Sequence, residues 1–425
     1  MVFKTIAARG NIVIESTDTV KLDRDWYFNQ LSDLLRSTSK RALANYMMAR
    51  LLTFTELLDF RFMELNNKYP ADQSKKTTST RWLQCLKTTQ EKLPEAVYRM
   101  YVDKHFRKED KDSVMAMIHN ITETFHEILD KNTWLSNETK ARAKTKLSAM
   151  GFNVGYPESL LDDNKLNAYY SNVFKPGFET LGFFELSLTM VKSSALENLK
   201  LLAAETEYPE KWPVSTSVAH AYHIPTRNSI FILAGILQPP FYYRMGSSSM
   251  NYGSIGSGIG HEISHGFDTA GSQYDENGEL NDWWTWSDKY IFKYLATCYA
   301  HQYSFYNWEG HQVDGYKTLN ENLVDHTGLD QSFLAYRRWV TKRGAEEEKL
   351  PDLNLTHNQI FFVSFAQLWC SKVKDGFHPF ILQYETHAMG NVRVQGPLCN
   401  SNYFARTFDC KINSTMNPEN KCFMW

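Results

Sequence analysis

The chain has 425 residues, 43% of them hydrophobic and 22% charged, the profile of a globular protein of more than one domain rather than a disordered one. Lys and Arg number 46 against 48 Asp and Glu, so there is no basic excess of the kind that binds nucleic acid electrostatically. The longest clean apolar run, residues 230–237, is far shorter than the roughly 20 residues of a membrane span.

The opening stretch MVFKTIAARGNIVIES shows no apolar run of signal-peptide length. From about residue 26 to 65 apolar residues recur at helical spacing, among them Leu34, Leu35, Tyr46, Met47, Leu51, Leu52, Leu57 and Leu58. Residues 92–150 read the same way, with Ser136 as the expected N-cap of NETKARAKTKL. Gly155-Tyr156-Pro157 reads as a turn, followed by helical sequence to about residue 202. Residues 214–236 are rich in β-branched and aromatic residues and predict a few short strands, which Gln238-Pro239-Pro240 ends. A Gly/Ser-rich loop over 246–260 then leads into a helix, and mostly helical sequence runs to about 385. The expected fold is mainly α with a small β component, divided near residue 200 into segments 1–200 and 201–425.

Six cysteines, Cys85, Cys298, Cys370, Cys399, Cys410 and Cys422, include no C-x-x-C pair. Glycosylation sequons begin at Asn120, Asn137, Asn354 and Asn413. Together they hint at an oxidising, glycosylating compartment, in conflict with the featureless N-terminus.

The sharpest signal is His261-Glu262-Ile263-Ser264-His265, an H-E-x-x-H. Residues four apart share a helix face, so two imidazoles can hold one Zn²⁺ while Glu262 reaches a water on it. A catalytic zinc needs a third protein ligand, and Glu321 of Glu321-Asn322-Leu323-Val324-Asp325 supplies one. Asp325, on the same face, can accept a hydrogen bond from a ligand histidine and fix its tautomer. Gly256, Gly258 and Gly260 lack the Lys-Ser/Thr of a phosphate loop, and no Gly-x-Ser-x-Gly elbow is present.

These motifs, with AGILQPPFY (234–242), NYGSIGSGIGHEISHGFD (251–268), Trp283-Trp284, ENLVDHTGL (321–329), FAQLWC (365–370), GNVRVQGPLCNS (390–401) and NPENKCFMW (417–425), resemble the neprilysin and endothelin-converting enzyme family of zinc metallopeptidases. AVYRMYV (96–102), TWLSNETKARAKTKL (133–147) and GYP (155–157) extend the resemblance into the helical half. It implies a zincin-type catalytic domain over 201–425 and a helical lid domain, incomplete at its N-terminus, over 1–200. His261, His265 and Glu321 would bind one zinc, with Glu262 as general base and Asp325 and Asp268 orienting the ligands. His387 would stabilise the transition state and Arg393 grip a substrate carbonyl. His220 and Ala221 stand where the family has Asn-Ala to bind the substrate backbone; a perfect Asn167-Ala168-Tyr169-Tyr170 lies in the helical half as a decoy. Gly258 replaces the family's Val.

The resemblance also pairs Cys298 with Cys422 and leaves Cys85, Cys370 and Cys410 with partners upstream of an N-terminally truncated chain; Cys399 has no usual counterpart. It implies short peptide substrates, no nucleic acid, and an extracellular or cell-surface ectodomain whose only membrane link is an anchor absent from this chain. The other reading is a catalytically silent fragment that at most binds peptides.

Overall fold

The computed structural model describes residues 8, 13–15, 17, 25–52, 61–62, 64, 80–200, 212, 216–374 and 376–425. Leu57 and Leu58 of the first helical pattern lie outside the described residues. The chain forms two compact units, residues 1–99 with 158–213, and residues 100–157 with 214–425. It therefore passes between units three times, where the sequence reading expected one division near residue 200. Residues 100–157 go with the C-terminal half because their apolar faces are buried in its core.

The described residues of the first unit form helices and turns but no strand, with α1 (Asp25–Ser37), α2 (Lys40–Leu52), α3 (Arg81–Lys92) and the start of α4 (Pro94–His105). Later come α7 (Asp163–Tyr170) and α8 (Phe183–Lys200). Asp162 caps α7 by accepting the N–H groups of Asn164 and Lys165. The Tyr170 hydroxyl donates to Glu95 at 2.6 Å, which ties α7 to α4. The Asn167-Ala168-Tyr169-Tyr170 string lies wholly within α7 and so plays no part in the strand it mimics.

The second unit opens with α5 (Lys108–Lys131), which buries Val114, Ile118, Ile121, Phe125 and Leu129 as one stripe at helical spacing. In α6 (Asn137–Ser148) the Ser136 side chain accepts the Thr139 N–H, the cap read from the sequence. Strand β1 (Gly151–Gly155) runs parallel to β3 (Ser229–Leu233), and β2 (Ala221–Ile224) runs antiparallel to β3, in the order β1-β3-β2. The sequence reading missed β1 because GFNVG has little strand propensity of its own. It is a strand because Phe152 and Val154 register against Ile230 and Ile232, and Gly155, at φ +77°, ends it. Ile230, Ile232 and Leu233 of the central strand are fully buried, and β2 is left as an edge.

The Gly/Ser-rich stretch is not a loop. Helix α9 (Ser248–Asn251), a π turn (Tyr252–Gly256) and α10 (Ser257–His265) follow without a break. Its glycines serve helix packing. A Cβ on Gly260 would meet the Gly328 carbonyl at 2.6 Å, and one on Gly328 would meet the His261 nitrogen at 2.3 Å. Gly328 lies on α12 (Leu319–Arg343), so only a glycine pair lets α10 and α12 cross this closely.

Helix α11 (Trp286–Ser304), α13 (His357–Gln367), α14 (His378–Tyr384), α15 (Gly390–Asn400) and α16 (Asn402–Thr407) complete the unit, with a small β4 (Asn307–Trp308) and β5 (His311–Gln312) hairpin. The chain end is locked inward. Trp425 packs edge-on against Phe125 and Phe267, and Trp134 donates to the Met424 carbonyl at 2.7 Å. Cys298 on α11 is bonded to Cys422 with Cα atoms 5.6 Å apart, closing 124 residues of chain. A loop of that size gives about 5 kcal/mol in the chain-entropy picture. Cys85, Cys370, Cys399 and Cys410 form no disulfide; Cys85 and Cys370 are exposed, Cys410 is half-buried and Cys399 is buried. No described helix is long and apolar enough to cross a membrane.

Candidate metal centre

His261 and His265 lie one turn apart on α10, so their rings project to the same side. Their Nε2 atoms are 3.1 Å apart. Glu321, in the first turn of α12, places Oε2 at 3.3 Å from the His261 Nε2 and 3.5 Å from that of His265. Ligands about 2.0–2.1 Å from a tetrahedral zinc are separated by about 3.3 Å, so the three edges match a zinc's coordination face. Among the described residues this is the one group of three or more His, Cys, Asp or Glu side chains close enough to hold a metal.

The opposite ring nitrogens are spoken for. His261 Nδ1 contacts Asp325 at 2.8 Å and His265 Nδ1 contacts Asp268 at 2.7 Å. A carboxylate there accepts the Nδ1–H and leaves the Nε2 lone pair for a metal. Glu321 Oε2 is buried with no well-formed hydrogen bond, although three imidazole nitrogens surround it. That is the state of an oxygen suited to a cation rather than to a protein donor. The site therefore fits a zinc ion.

Electrostatics point the same way. The carboxylates of Asp268, Glu321 and Asp325 outnumber the one guanidinium, Arg393, a surplus a dication would balance. Burial opposes the Glu321 charge, but His261, His265 and His387 hold its carboxyl far below the usual range. Burial also opposes a charge on His261 and His265, yet their carboxylate partners raise both above the ordinary imidazole value.

Glu262 follows His261 on α10 and is only 7% exposed. His387 reaches the cluster from the segment before α15, with Nε2 3.1 Å from Glu321 Oε2. Arg393 on α15 is buried beside Asp325 and Trp369. Its Nε and Nη2 both donate to Asp325 at 2.7 Å, and its guanidinium lies 3.8 Å from the Trp369 ring centre. It braces the carboxylate that orients His261. Ala221 pairs with Ile232 in the sheet, while the exposed His220 turns its ring onto the Ala221 carbonyl. His220 is not among the side chains that converge on Glu321.

Sequence reasoning gave no role to Trp369 or to Lys146, whose ammonium is buried beneath the segment after α10. A Lys in a Lys-rich amphipathic helix reads as solvated, and only the fold reveals which one turns inward.

The glycines around the site make a graded test. Gly260→Ala is expected to force α10 from α12 and cost about 1–3 kcal/mol together with metal affinity. A Cβ on Gly258 meets nothing within 4 Å. Gly258→Ala is therefore expected to fold at least as stably, by up to about 1 kcal/mol, through helix propensity. Denaturant midpoints of the two variants check the opposite signs.

Two family models match, both described as Peptidase family M13, one over residues 220–424 and one over 2–157. Neprilysin of Homo sapiens is 36% identical over an alignment of 426 residues, covering 99% of this chain and 56% of the relative. Endothelin-converting enzyme 1 of Rattus norvegicus is 36% identical over 419, covering 97% and 54%. The chain thus spans about half the length of the curated relatives it matches. Among solved structures, the inhibitor-bound zinc metalloprotease of Mycobacterium tuberculosis matches with a TM-score of 0.68 and 28% identity, over 79% of this chain and 49% of that one. A Haemonchus galactose-containing glycoprotein complex matches with 0.77 and 26%, over 91% and 59%. With both family models aligned along the chain and the H-E-x-x-H and E-x-x-x-D helices crossing as described, the chain belongs to peptidase family M13.

Proposed function

We propose that this chain is a zinc-dependent endopeptidase acting on short peptides. The observation that carries the reading is the triangle of His261, His265 and Glu321 ligand atoms, with both histidines backed by carboxylates. A zinc ion held there would acidify a water and polarise a peptide carbonyl. Glu262, the next residue along α10 from His261, takes the proton from the attacking water and passes it to the leaving amine. His387, half-exposed beside Glu321, donates to the carbonyl oxygen as charge builds there. Asp325 and Asp268 keep both ligand rings aimed, and Arg393 keeps Asp325 in place. Among the described residues β2 pairs as a strand with β3 alone, so its outer side can take an extended peptide, with Ala221 and His220 meeting the substrate main chain. The limit to short peptides rests on the family resemblance.

The test is a paired measurement on the purified chain. One equivalent of zinc and cleavage of a quenched fluorescent peptide are expected, with loss of cleavage on chelation and inhibition by a phosphonate or hydroxamate peptide analogue. Cleavage indifferent to chelators would sink the metal mechanism; one zinc without cleavage would favour a silent peptide-binding role.

The extracellular setting is part of the same proposal, supported by the Cys298–Cys422 bond and by exposed sequons at Asn137, Asn354 and Asn413. Asn120 differs. Its Nδ2 donates to the Tyr252 hydroxyl at 2.8 Å and to the Ala335 carbonyl at 2.7 Å, leaving no room for a glycan. When the chain is expressed through a secretory route, peptide mapping after deglycosylation should report sugar on the three exposed sites and an unmodified Asn120.

A further inference from the structure

We propose that Lys146 is a positioning residue for the metal centre: its ammonium gathers the segment after α10 and thereby fixes Asp268 against His265. The inference deepens the zinc reading above and rests on it.

Lys146 is 1% exposed. Its neighbours on α6, Lys140 and Lys144, reach the surface residue Asp130, whereas Lys146 turns inward beside Ala143 and Leu147. Its Nζ donates to three carbonyls, Gly266 at 2.6 Å, Gly271 at 2.7 Å and Tyr274 at 2.7 Å. It also lies 5.4 Å from the ring centre of Phe267 and 5.9 Å from that of Trp283. One ammonium thus pins residues 266, 271 and 274, the whole turn that carries the chain away from His265.

Asp268 sits inside that turn. Its Oδ1 accepts the N–H groups of Ala270 at 2.8 Å and Gly271 at 2.7 Å, and its Oδ2 holds His265 Nδ1 at 2.7 Å. Gly271 is the shared link, giving its N–H to Asp268 and its carbonyl to Lys146. The path from ammonium to imidazole is therefore three hydrogen bonds long, with no flexible side chain beyond those named.

The choice of lysine is informative. Among the described residues no carboxylate bonds to Lys146; Asp268, Asp275 and Glu276 act on it through space. Burial pulls its ammonium down to about 7. Three carbonyl acceptors nonetheless require three N–H groups, which only the protonated amine has. A buried charge without a bonded counter-ion is a poor way to gain stability, and an apolar side chain would fill the same volume more favourably. What an apolar side chain cannot do is converge three carbonyls on one point.

The experiment measures metal affinity by competition with a chromophoric chelator, and the visible spectrum of the Co²⁺-substituted protein, for wild type, Lys146→Met, Lys146→Gln, Asp268→Asn and the Lys146→Met/Asp268→Asn double variant. Lys146→Met is expected to weaken metal binding about 10- to 100-fold, the range for loss of a ligand's outer partner, and to alter the Co²⁺ bands. Lys146→Gln, which keeps two N–H donors on a side chain one atom shorter, is expected to fall between; it carries the test if the Met variant does not fold. The double variant is expected to bind metal no more weakly than Asp268→Asn alone, because both act through one link. A purely structural lysine would lower the unfolding midpoint and leave affinity and spectrum unchanged, and that result overturns the inference, as does full additivity with Asp268→Asn. A wild-type chain that takes up no metal overturns the metal reading itself, and this inference with it; metal-binding wild type with unaffected variants overturns this inference alone.

Discussion

Glu262→Gln is expected to keep zinc and lose peptide hydrolysis, with kcat down by about 10²–10⁴-fold or more. The substitution is nearly isosteric at a 7% exposed position, so folding and the three ligands are left alone. What disappears is the carboxylate that accepts the water's proton. Glu321→Ala gives the contrasting result, because Glu321 Oε2 forms one corner of the ligand triangle. That variant is expected to lose both metal and activity. Metal analysis of the two proteins beside their kcat values separates the roles. Wild-type turnover in Glu262→Gln would show that water activation belongs to another group.

Much of this site is legible in the chain because helical periodicity is local. His261 and His265, and Glu321 and Asp325, are each four apart, so each pair shares a face whatever the rest of the fold does. What periodicity cannot say is that the two faces meet. That depends on Gly260 against Gly328, a contact across nearly 70 residues that reads in sequence only as a Gly-rich loop. The same local bias explains the missed strand. GFNVG becomes β1 only because β3 lies beside it. The Ser136 cap, whose partner is three residues away, was readable for the opposite reason. Asp268 was visible three residues past His265, but the carboxylate's grip on Nδ1 needed the turn that Lys146 holds. Arg393 shows the limit most clearly, since its chemistry is plain in the sequence while its partner is not. The fold spends two of its N–H groups on Asp325.

That pairing makes Asp325→Ala the most damaging single change outside the ligands. Asp325 is 3% exposed and accepts three hydrogen bonds, from His261 Nδ1 and from two nitrogens of Arg393. Truncation removes the outer partner of a metal ligand, for which a loss of about 10- to 100-fold in metal affinity is expected. It also strands the buried Arg393 guanidinium, now held only against the Trp369 face, at a cost of about 3–5 kcal/mol. The two effects separate in the double variant Asp325→Leu/Arg393→Met. Removing both charges relieves the stranded cation, so stability is expected to return to within about 1–2 kcal/mol of wild type. Metal affinity is not expected to return, because nothing then accepts the His261 Nδ1–H. Denaturant midpoints and chelator competition on wild type, Asp325→Ala and the double variant read the two quantities independently. If stability stayed low in the double variant, the damage would lie in packing around α12 rather than in the unpaired charge. If metal affinity recovered with it, Asp325 would not be what aims His261.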